Sequence, residues 1–376
     1  WCSCPGWASP SPGIWCGDID EDTHWDARSE GHLVTCGVTV RDDAVLTVDD
    51  GAHVAFVDGA GLHVGRELDS GFLMVDGHTL GAVFTSWNDT PAKGDWAGIQ
   101  FDKSAEGSAI DGLTVQFAST AISLAQMDII ITDTILEFSS QNGLNIADTA
   151  LTLERVSITD SDGEPLICNS GQCLAAVDTL NMQYNKKAMH LQLADDVGRL
   201  ANATIANNDE NFVTVQYPNV TQSATWSYTG APIVPEQGIS VGGDDAPVLT
   251  LEAGVAVWFE DDQGMDVGYN APGDLIVAGT ALEPVVMTSA SAIKAPGAWA
   301  GVFIGDEAKS TTSIEHLDIS YAGGSGNSAN LRIWHNDADI AVRNVTSSFS
   351  KSSGLALEGS FATFEDVVCT FNNAFG

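Results

Sequence analysis

Residues 94–101 read Gly-Asp-Trp-Ala-Gly-Ile-Gln-Phe, and residues 297–304 read Gly-Ala-Trp-Ala-Gly-Val-Phe-Ile, 203 positions later. The same offset relates residues 46–51 to residues 249–254, and residues 110–115 return at 314–319. A repeated unit usually buries its apolar face against its neighbours, so internal repetition predicts a fold built from stacked units. The chain is therefore expected to contain two tandem duplicated modules.

A shorter period appears inside the first copy. Five apolar residues begin similar patterns at spacings of 21, 22, 24 and 23 residues: Ile110, Ile131, Leu153, Val177 and Leu200. Five positions after each of them stands another apolar residue: Val115, Leu136, Ile158, Met182 and Ile205. Coils of this length, with short alternating strands and Asn- or Gly-rich turns, are typical of a parallel β-helix. A leucine-rich repeat has a similar period, but its helical half is missing. The sequence therefore predicts an all-β parallel β-helix, a β-solenoid, with those five residues in one internal column.

Composition limits the function. The 376 residues include 51 acidic and 14 basic side chains, for a net charge of −37. Nucleic acid is excluded as a natural partner, because phosphate backbones are bound through Lys and Arg. No run of about 18 apolar residues is present, so no membrane insertion is expected. A hydrophobic content of 44% is sufficient for a packed interior.

The cysteines indicate an oxidising compartment. Cys2, Cys4, Cys16 and Cys36 lie near the N-terminus, and Cys168 and Cys173 are five residues apart. We expect a Cys168–Cys173 disulfide and two N-terminal disulfides of undetermined pairing, in an extracellular or cell-surface protein. A zinc site in the first 36 residues is the weaker alternative, because Cys2 and Cys4 are too close for the usual ligand spacing.

The order of motifs resembles a known family. In both copies a Trp precedes an extended segment (25–40 and 226–241), and a Val-x-Gly element (75–77 and 277–279) and the Gly-x-Trp-Ala-Gly motif follow. The chain resembles the right-handed parallel β-helix repeat proteins that bacteria secrete or display, a branch of the pectin-lyase-like superfamily. The resemblance implies a right-handed helix, and it leaves the function open, because this branch includes adhesins, surface proteins and modules attached to enzymes.

The resemblance and the repeats divide the chain into three parts. Residues 1–24 are predicted to form a Cys- and Trp-rich cap or contact segment. Residues 25–217 form the first module, and residues 218–376 form the second. The second module has matching coil starts at Ile314, Val342 and Phe364, and it is expected to stop in mid-stack at Gly376. Cys369, five residues after Phe364, is expected in the internal column as a buried, unpaired thiol.

No catalytic residue is predicted. The Gly-His-Gly and Arg-x-Lys elements of the polygalacturonase branch do not occur, and basic side chains are scarce. The repeated Trp96 and Trp299 could be sugar-stacking platforms. Both copies have the same glycines beside the Trp, however, and this favours packing inside the fold.

The predicted function requires no cofactor, and two acidic segments are candidates for calcium. Asp18, Asp20 and Asp22 alternate as carboxylates do in calcium loops, and Asp160 and Asp162 belong to an Asp-x-Asp-Gly turn. Four sequons mark candidate glycosylation sites: Asn88, Asn202, Asn219 and Asn344. Solvated turns and chance sequons are the simpler explanations of these patterns.

We therefore predict a non-catalytic extracellular structural protein, a rigid acidic β-solenoid rod in a surface filament, stalk or adhesin. Its expected partners are other copies, joined head to tail through the Trp1–Trp15 region, or other surface proteins. The alternative is a polysaccharide lyase, a glycoside hydrolase or a carbohydrate-binding module that uses an acidic groove with calcium.

Overall fold

The computed structural model describes residues 12–374, and nearly all its regular structure is β-strand. The chain forms two compact units. Unit 1 comprises Trp1–Lys187 with Asn207–Glu210, and unit 2 comprises Ala188–Ala206 with Asn211–Gly376. Within each unit, strands pair in parallel with strands of the next coil, so the predicted all-β parallel β-solenoid is confirmed.

The strands of unit 1 are β1 (Gly13–Ile19), β2 (Thr23–Trp25), β3 (His32–Val40), β4 (Ala44–Asp49), β5 (His53–Phe56), β6 (Gly61–Val64), β7 (Gly71–Asp76), β8 (Ala82–Ser86), β9 (Gly98–Phe101), β10 (Ala109–Asp111), β11 (Leu113–Gln116), β12 (Ile122–Ala125), β13 (Ile129–Thr132), β14 (Ile135–Glu137), β15 (Leu144–Ala147), β16 (Leu151–Thr159), β17 (Leu166–Ser170) and β18 (Leu174–Gln183). A 3-10 turn, Lys103–Ala105, follows β9.

Unit 2 contains β19 (Met189–Leu193), the short helix α1 (Ala194–Val197), β20 (Ala203–Ala206), β21 (Val213–Tyr217), β22 (Ala224–Trp226), β23 (Ile233–Pro235), β24 (Ile239–Val241), β25 (Val248–Glu252), β26 (Ala256–Phe259), β27 (Gly264–Val267), β28 (Asp274–Ala278), β29 (Val285–Ser289), β30 (Gly301–Ile304), β31 (Ser313–Ser320), β32 (Ala329–Trp334), β33 (Asp339–Ser348), β34 (Ser353–Glu358), β35 (Phe361–Glu365) and β36 (Val368–Thr370).

Four residues of the predicted internal column lie in the core of unit 1. Val115 pairs with Leu136, Leu136 with Ile158, and Ile158 with Met182. All four side chains are fully buried, and Ile205 is buried as well. Burial of like residues in consecutive coils removes apolar surface from water at every step, which stabilises the stack. The register that the 22-residue period predicts is confirmed for these four positions.

A sharp bend lies two residues after four of the five coil starts, Ile110, Ile131, Leu153 and Val177. Asp133, Arg155 and Thr179 occupy it with φ of 47°, 54° and 62°, as Gly112 does with φ of 69°. The left-handed conformation costs a non-glycine residue about 1–2 kcal/mol, yet it recurs at this position. The bend turns the chain from one strand into the next while the coil above holds both in register.

The repeated Trp residues pack inside the solenoid, as the sequence predicts. Trp96 is fully buried, stacks on Phe56 at a centroid distance of 4.0 Å, and donates its indole N–H to the carbonyl of Gln116. Trp299 is also fully buried and stacks on Phe259 at 4.4 Å. The last glycine of each motif begins β9 or β30 with positive φ, in a position where a Cβ would collide with backbone of the next coil.

The strands of unit 2 recur at the spacing of the sequence repeat. β27 begins at Gly264, 203 residues after β6 begins at Gly61, and β30 begins at Gly301, 203 residues after β9 begins at Gly98. Along the chain, unit 1 is followed by unit 2 at the step from Lys187 to Ala188. The predicted boundary between residues 217 and 218 therefore stays a prediction.

The cysteines form the disulfides Cys16–Cys36 and Cys168–Cys173, the second of which the spacing predicts. Cys2 and Cys4 lie outside the described residues. Cys369 is a free thiol in the column after Ile319 and Ser347, as predicted, but it is only partly buried. Even so, burial raises the pKa of this thiol above its ordinary value.

Candidate functional site

The outer face of one sheet in unit 2 carries an unusual row of side chains. β24, β27, β30, β32 and β34 form this sheet. Asp266 of β27 pairs with Phe303 of β30, which pairs with Arg332 of β32. The flanking residues in these strands are buried, so alternation directs the three side chains outward. An acid, an aromatic ring and a guanidinium thus project side by side from consecutive coils.

Three aromatic rings meet at this row. Tyr269 contacts Phe303 edge to face at 5.1 Å between centroids. Trp334 lies 5.9 Å from Phe303 and 6.2 Å from Tyr269. His335 stacks against Trp334 at 4.2 Å and restrains its orientation. The rings form one contiguous apolar surface of the kind that flat, amphipathic ligands can cover.

The rings form part of the wall of an open depression of about 290 Å³, which we call the aromatic depression. Its lining residues are Asp266, Tyr269, Phe303, Ser325, Gly326, Asn327, Arg332 and Trp334. Ser325 donates its hydroxyl to Asp262, which ties the rim loop to the preceding corner of unit 2. The depression combines apolar surface with a few polar groups, as ligand sites generally do.

The guanidinium of Arg332 is already neutralised. Its Nε and Nη2 atoms donate to the two carboxylate oxygens of Glu358 at 3.1 and 2.7 Å. The pair lies beside Phe303, whose ring centroid is 5.4 Å from the guanidinium carbon. The hydrogen bonds from Arg332 hold the pKa of the Glu358 carboxyl below its ordinary value. A bidentate pair of this kind is geometrically specific and leaves little positive charge for a ligand.

Asp266 differs from its neighbours, because its carboxylate has no hydrogen-bond or ion-pair partner among residues 12–374. The carboxylate is open to solvent on one side, while the surrounding protein atoms desolvate it and raise its pKa above the ordinary value. Asn327 also lines the depression, but its Oδ1 atom is closed to solvent and has no hydrogen-bond partner among the described residues. The Asp266 carboxylate is thus the acceptor that a ligand can reach.

Unit 1 has a depression on the corresponding strands, but its lining differs. Thr39, His63 and Gln100 are paired on consecutive strands, and with Arg66, Asp102 and neighbouring residues they line about 420 Å³. Gln100 stands where unit 2 has Phe303, and His63 where it has Asp266, each at an offset of 203. No Phe, Tyr or Trp lines the depression of unit 1. The aromatic surface therefore belongs to unit 2.

The first predicted calcium segment lies on and after β1. Asp18 forms an ion pair with Arg41 at 3.2 Å, and Asp22 accepts a hydrogen bond from the backbone N–H of Val45. Asp20 is exposed, and with Asp18 it lines a small depression of about 200 Å³. Calcium binding at Asp18, Asp20 and Asp22 stays a prediction.

The second predicted calcium segment is a corner after β16. Asp160 adopts the left-handed conformation with φ of 57°. Asp162 receives the ammonium groups of Lys93 and Lys186 at 2.9 and 2.7 Å, and hydrogen bonds from these lysines lower the pKa of its carboxyl. A calcium ion at Asp162 would have to compete with both lysines, so the geometry does not favour the site. Calcium binding at Asp160 and Asp162 stays a prediction.

The four sequons lie on turns and strands at the surface. Asn202 and Asn219 are exposed, and Asn88 and Asn344 are half-buried. The amide of Asn88 donates to Asp58 at 2.8 Å, and Asn344 occupies a bend with φ of 54°. Their glycosylation stays a prediction.

The sequence reasoning missed the aromatic depression. Asp266, Phe303 and Arg332 are outward-facing residues of their strands, and the sequence pattern that indicates a strand is formed by the buried residues on either side of them. Tyr269 lies in the turn after β27. The sequence did contain one signal. Alignment of the two copies makes Phe303 equivalent to Gln100, so the second copy has an aromatic residue at a position where the first copy has a polar one.

Part of the chain matches a known protein family. Residues 237–333 match the model of a family described as pectate-lyase like beta helix domain, and this stretch includes Asp266, Tyr269, Phe303 and Arg332. Among solved structures, a Yersinia enterocolitica family 28 exopolygalacturonase is similar at 10% identity and a TM-score of 0.31, over 97% of this chain and 79% of that one. So low a score carries no information about substrate or chemistry. No curated protein matches the chain.

The chain thus has a parallel β-solenoid fold, shown by its coiled parallel strands, and the family match to a pectate-lyase like beta helix domain covers residues 237–333.

Proposed function

We propose that this protein is an extracellular, non-catalytic β-solenoid that binds a polysaccharide in the aromatic depression of unit 2. The observation that carries the proposal is the group of Tyr269, Phe303 and Trp334 beside the unpartnered carboxylate of Asp266. Sugar rings present flat C–H faces that pack on aromatic side chains, and their hydroxyls donate to carboxylate and amide oxygens. Because the depression is open, it can accept sugar units from within a polysaccharide chain as well as those at its end.

The same geometry favours binding over hydrolysis. Glycoside hydrolysis needs two carboxyl groups in complementary roles at a defined separation. Asp266 has a raised pKa, as a general acid requires, but the nearby carboxylate of Glu358 is held in a bidentate pair with Arg332. Glu358 would have to break that pair to act as a base or nucleophile. A lyase or hydrolase is the second candidate, and the release of reducing ends or unsaturated products would reveal it.

The extracellular location rests on the disulfides Cys16–Cys36 and Cys168–Cys173, which persist in oxidising surroundings. Within the described residues, no helix has the length and apolar character needed to cross a membrane. We further propose that the protein serves as a structural element of a cell surface, in a filament, stalk or adhesin, either with other copies joined head to tail or with other surface proteins. Sedimentation across a range of concentrations tests the self-association.

Binding can be tested with Phe303→Ala. Loss of the central ring should weaken binding of a hexasaccharide about tenfold or more, since burial of an aromatic side chain is worth roughly 1.5–3 kcal/mol. The matched control is Tyr184→Ala, which removes a ring that is 62% exposed in unit 1.

Isothermal titration calorimetry with neutral, amino and acidic hexasaccharides gives the affinities. Absence of binding to every saccharide, or equal binding by both variants, would refute the proposal.

A further inference from the structure

The proposed polysaccharide site has a chemical preference of its own. We infer that the aromatic depression selects a saccharide bearing a protonated amine, an unacetylated amino sugar, over neutral and uronic acid sugars. This inference rests on the proposed function and names the class of substrate. It follows from which charges in the depression are satisfied and which are free.

The free charge is negative. Asp266 projects from β27 into the depression, and its carboxylate has no partner among the described residues. Carboxylates that are partly desolvated are costly unless a cation compensates them. A ligand ammonium would supply that compensation through a charge-assisted hydrogen bond, which is about twice as strong as a neutral one. A hydroxyl at the same place would give the weaker interaction.

The positive charge in the depression, that of Arg332, is already paired with a carboxylate of the protein. Arg332 is the cation that lines the depression, and its Nε and Nη2 atoms donate to both oxygens of Glu358, so the pair is close to neutral. A uronate carboxylate would have to share Arg332 with Glu358, and it would lie beside Asp266 without a counterion of its own. Like charges at that range repel, and the protein's net charge of −37 adds to the repulsion of a polyanion.

The remaining groups suit the same ligand. The rings of Tyr269, Phe303 and Trp334 present faces or edges beside Asp266, and aromatic faces attract an ammonium group through their quadrupoles. The depression therefore offers a carboxylate acceptor and aromatic surface, and the cation among its lining side chains, Arg332, is already paired with Glu358.

The experiment measures three hexasaccharides of equal length by calorimetry: glucosamine, N-acetylglucosamine and galacturonate oligomers. At a pH at which part of the glucosamine is protonated, the wild-type protein should bind the amino hexamer about tenfold more tightly than the acetylated one, in keeping with a charge-assisted contact. Binding of the galacturonate hexamer should be weakest.

Asp266→Asn keeps the side-chain shape and removes the charge. It should reduce the preference for the amino hexamer to about onefold while binding of the acetylated hexamer changes little. The matched control is Asp318→Asn, an exposed carboxylate on β31 of the same unit, which also removes one negative charge and should leave the preference unchanged.

The outcomes separate the two proposals. If the amino and acetylated hexamers bind equally, or the preference survives in Asp266→Asn, the inference is wrong and the glycan site stands. A preference lost equally in Asp318→Asn would show diffuse attraction to an acidic protein, which also overturns it. If no hexamer binds, the proposed function itself fails.

Discussion

Replacement of Leu136 by Ala tests the internal column of unit 1. The Leu136 side chain is fully buried and is held between Val115 and Ile158, which pair with it in register on the coils before and after. Both neighbours are stiff, β-branched side chains that cannot swing into a vacated space. The substitution should therefore leave a cavity that the coils cannot close.

The magnitude follows from two contributions. Leu→Ala removes three carbon atoms, and at about 0.8 kcal/mol per buried methylene the lost transfer free energy is about 2.4 kcal/mol. The cavity adds to this, and the observed range for such substitutions is about 2–5 kcal/mol. Because the neighbours are rigid, we expect a loss of about 3–4 kcal/mol in the free energy of unfolding.

Urea unfolding followed by far-UV circular dichroism measures the loss. The control is Leu68→Ala, which shortens a leucine that is 87% exposed in the same unit and should cost less than about 0.5 kcal/mol. A Leu136→Ala loss below about 1 kcal/mol, with the Leu68→Ala control unaffected, would show that this position does not lie in a rigid column.

Two further predictions concern stability. Burial holds the pKa of His32 below its ordinary value of 6.5, so the unfolded chain takes up the proton first and stability should fall as the pH drops below about 6.5. His32→Gln should flatten that dependence between pH 5 and 7 in thermal melts, and an unchanged slope would exclude His32 as its source. The two disulfides should contribute differently to the free energy of unfolding, because a longer closed loop restricts the unfolded chain more. By the chain-entropy relation, Cys16–Cys36, with a separation of 20 residues, stabilises by about 3.3 kcal/mol. Cys168–Cys173, with a separation of 5 residues, stabilises by about 2.1 kcal/mol. Paired Cys→Ala variants measured by urea unfolding check the order, and a larger loss at Cys168–Cys173 would contradict it.

Much of the fold could be predicted, because the residues that determine it recur at a regular interval in the sequence. Val115, Leu136, Ile158 and Met182 recur at the length of one coil, and a side chain that repeats at that length must stack on its equivalent. The role of Trp96 was also accessible, since a large apolar residue beside repeated glycines indicates close packing. Local repetition thus carries information about distant contacts in a solenoid.

The candidate site could not be predicted in the same way. Asp266 and Phe303 are 37 positions apart, and only the register of β27 on β30 brings them together. That register depends on the length of the loop between the strands, which varies from coil to coil. The pairing of Arg332 with Glu358 depends likewise on two strands that come from different coils. Outward positions follow no period, because solvent accepts any polar residue there.

A crystal structure of the protein with a glucosamine hexamer bound tests the central claim most directly. The account predicts sugar rings against Phe303 and Trp334, with one amino nitrogen within hydrogen-bond distance of the Asp266 carboxylate, about 2.7–3.0 Å. A saccharide bound elsewhere, such as in the depression lined by His63 and Gln100, with Asp266 still without a partner, would contradict it.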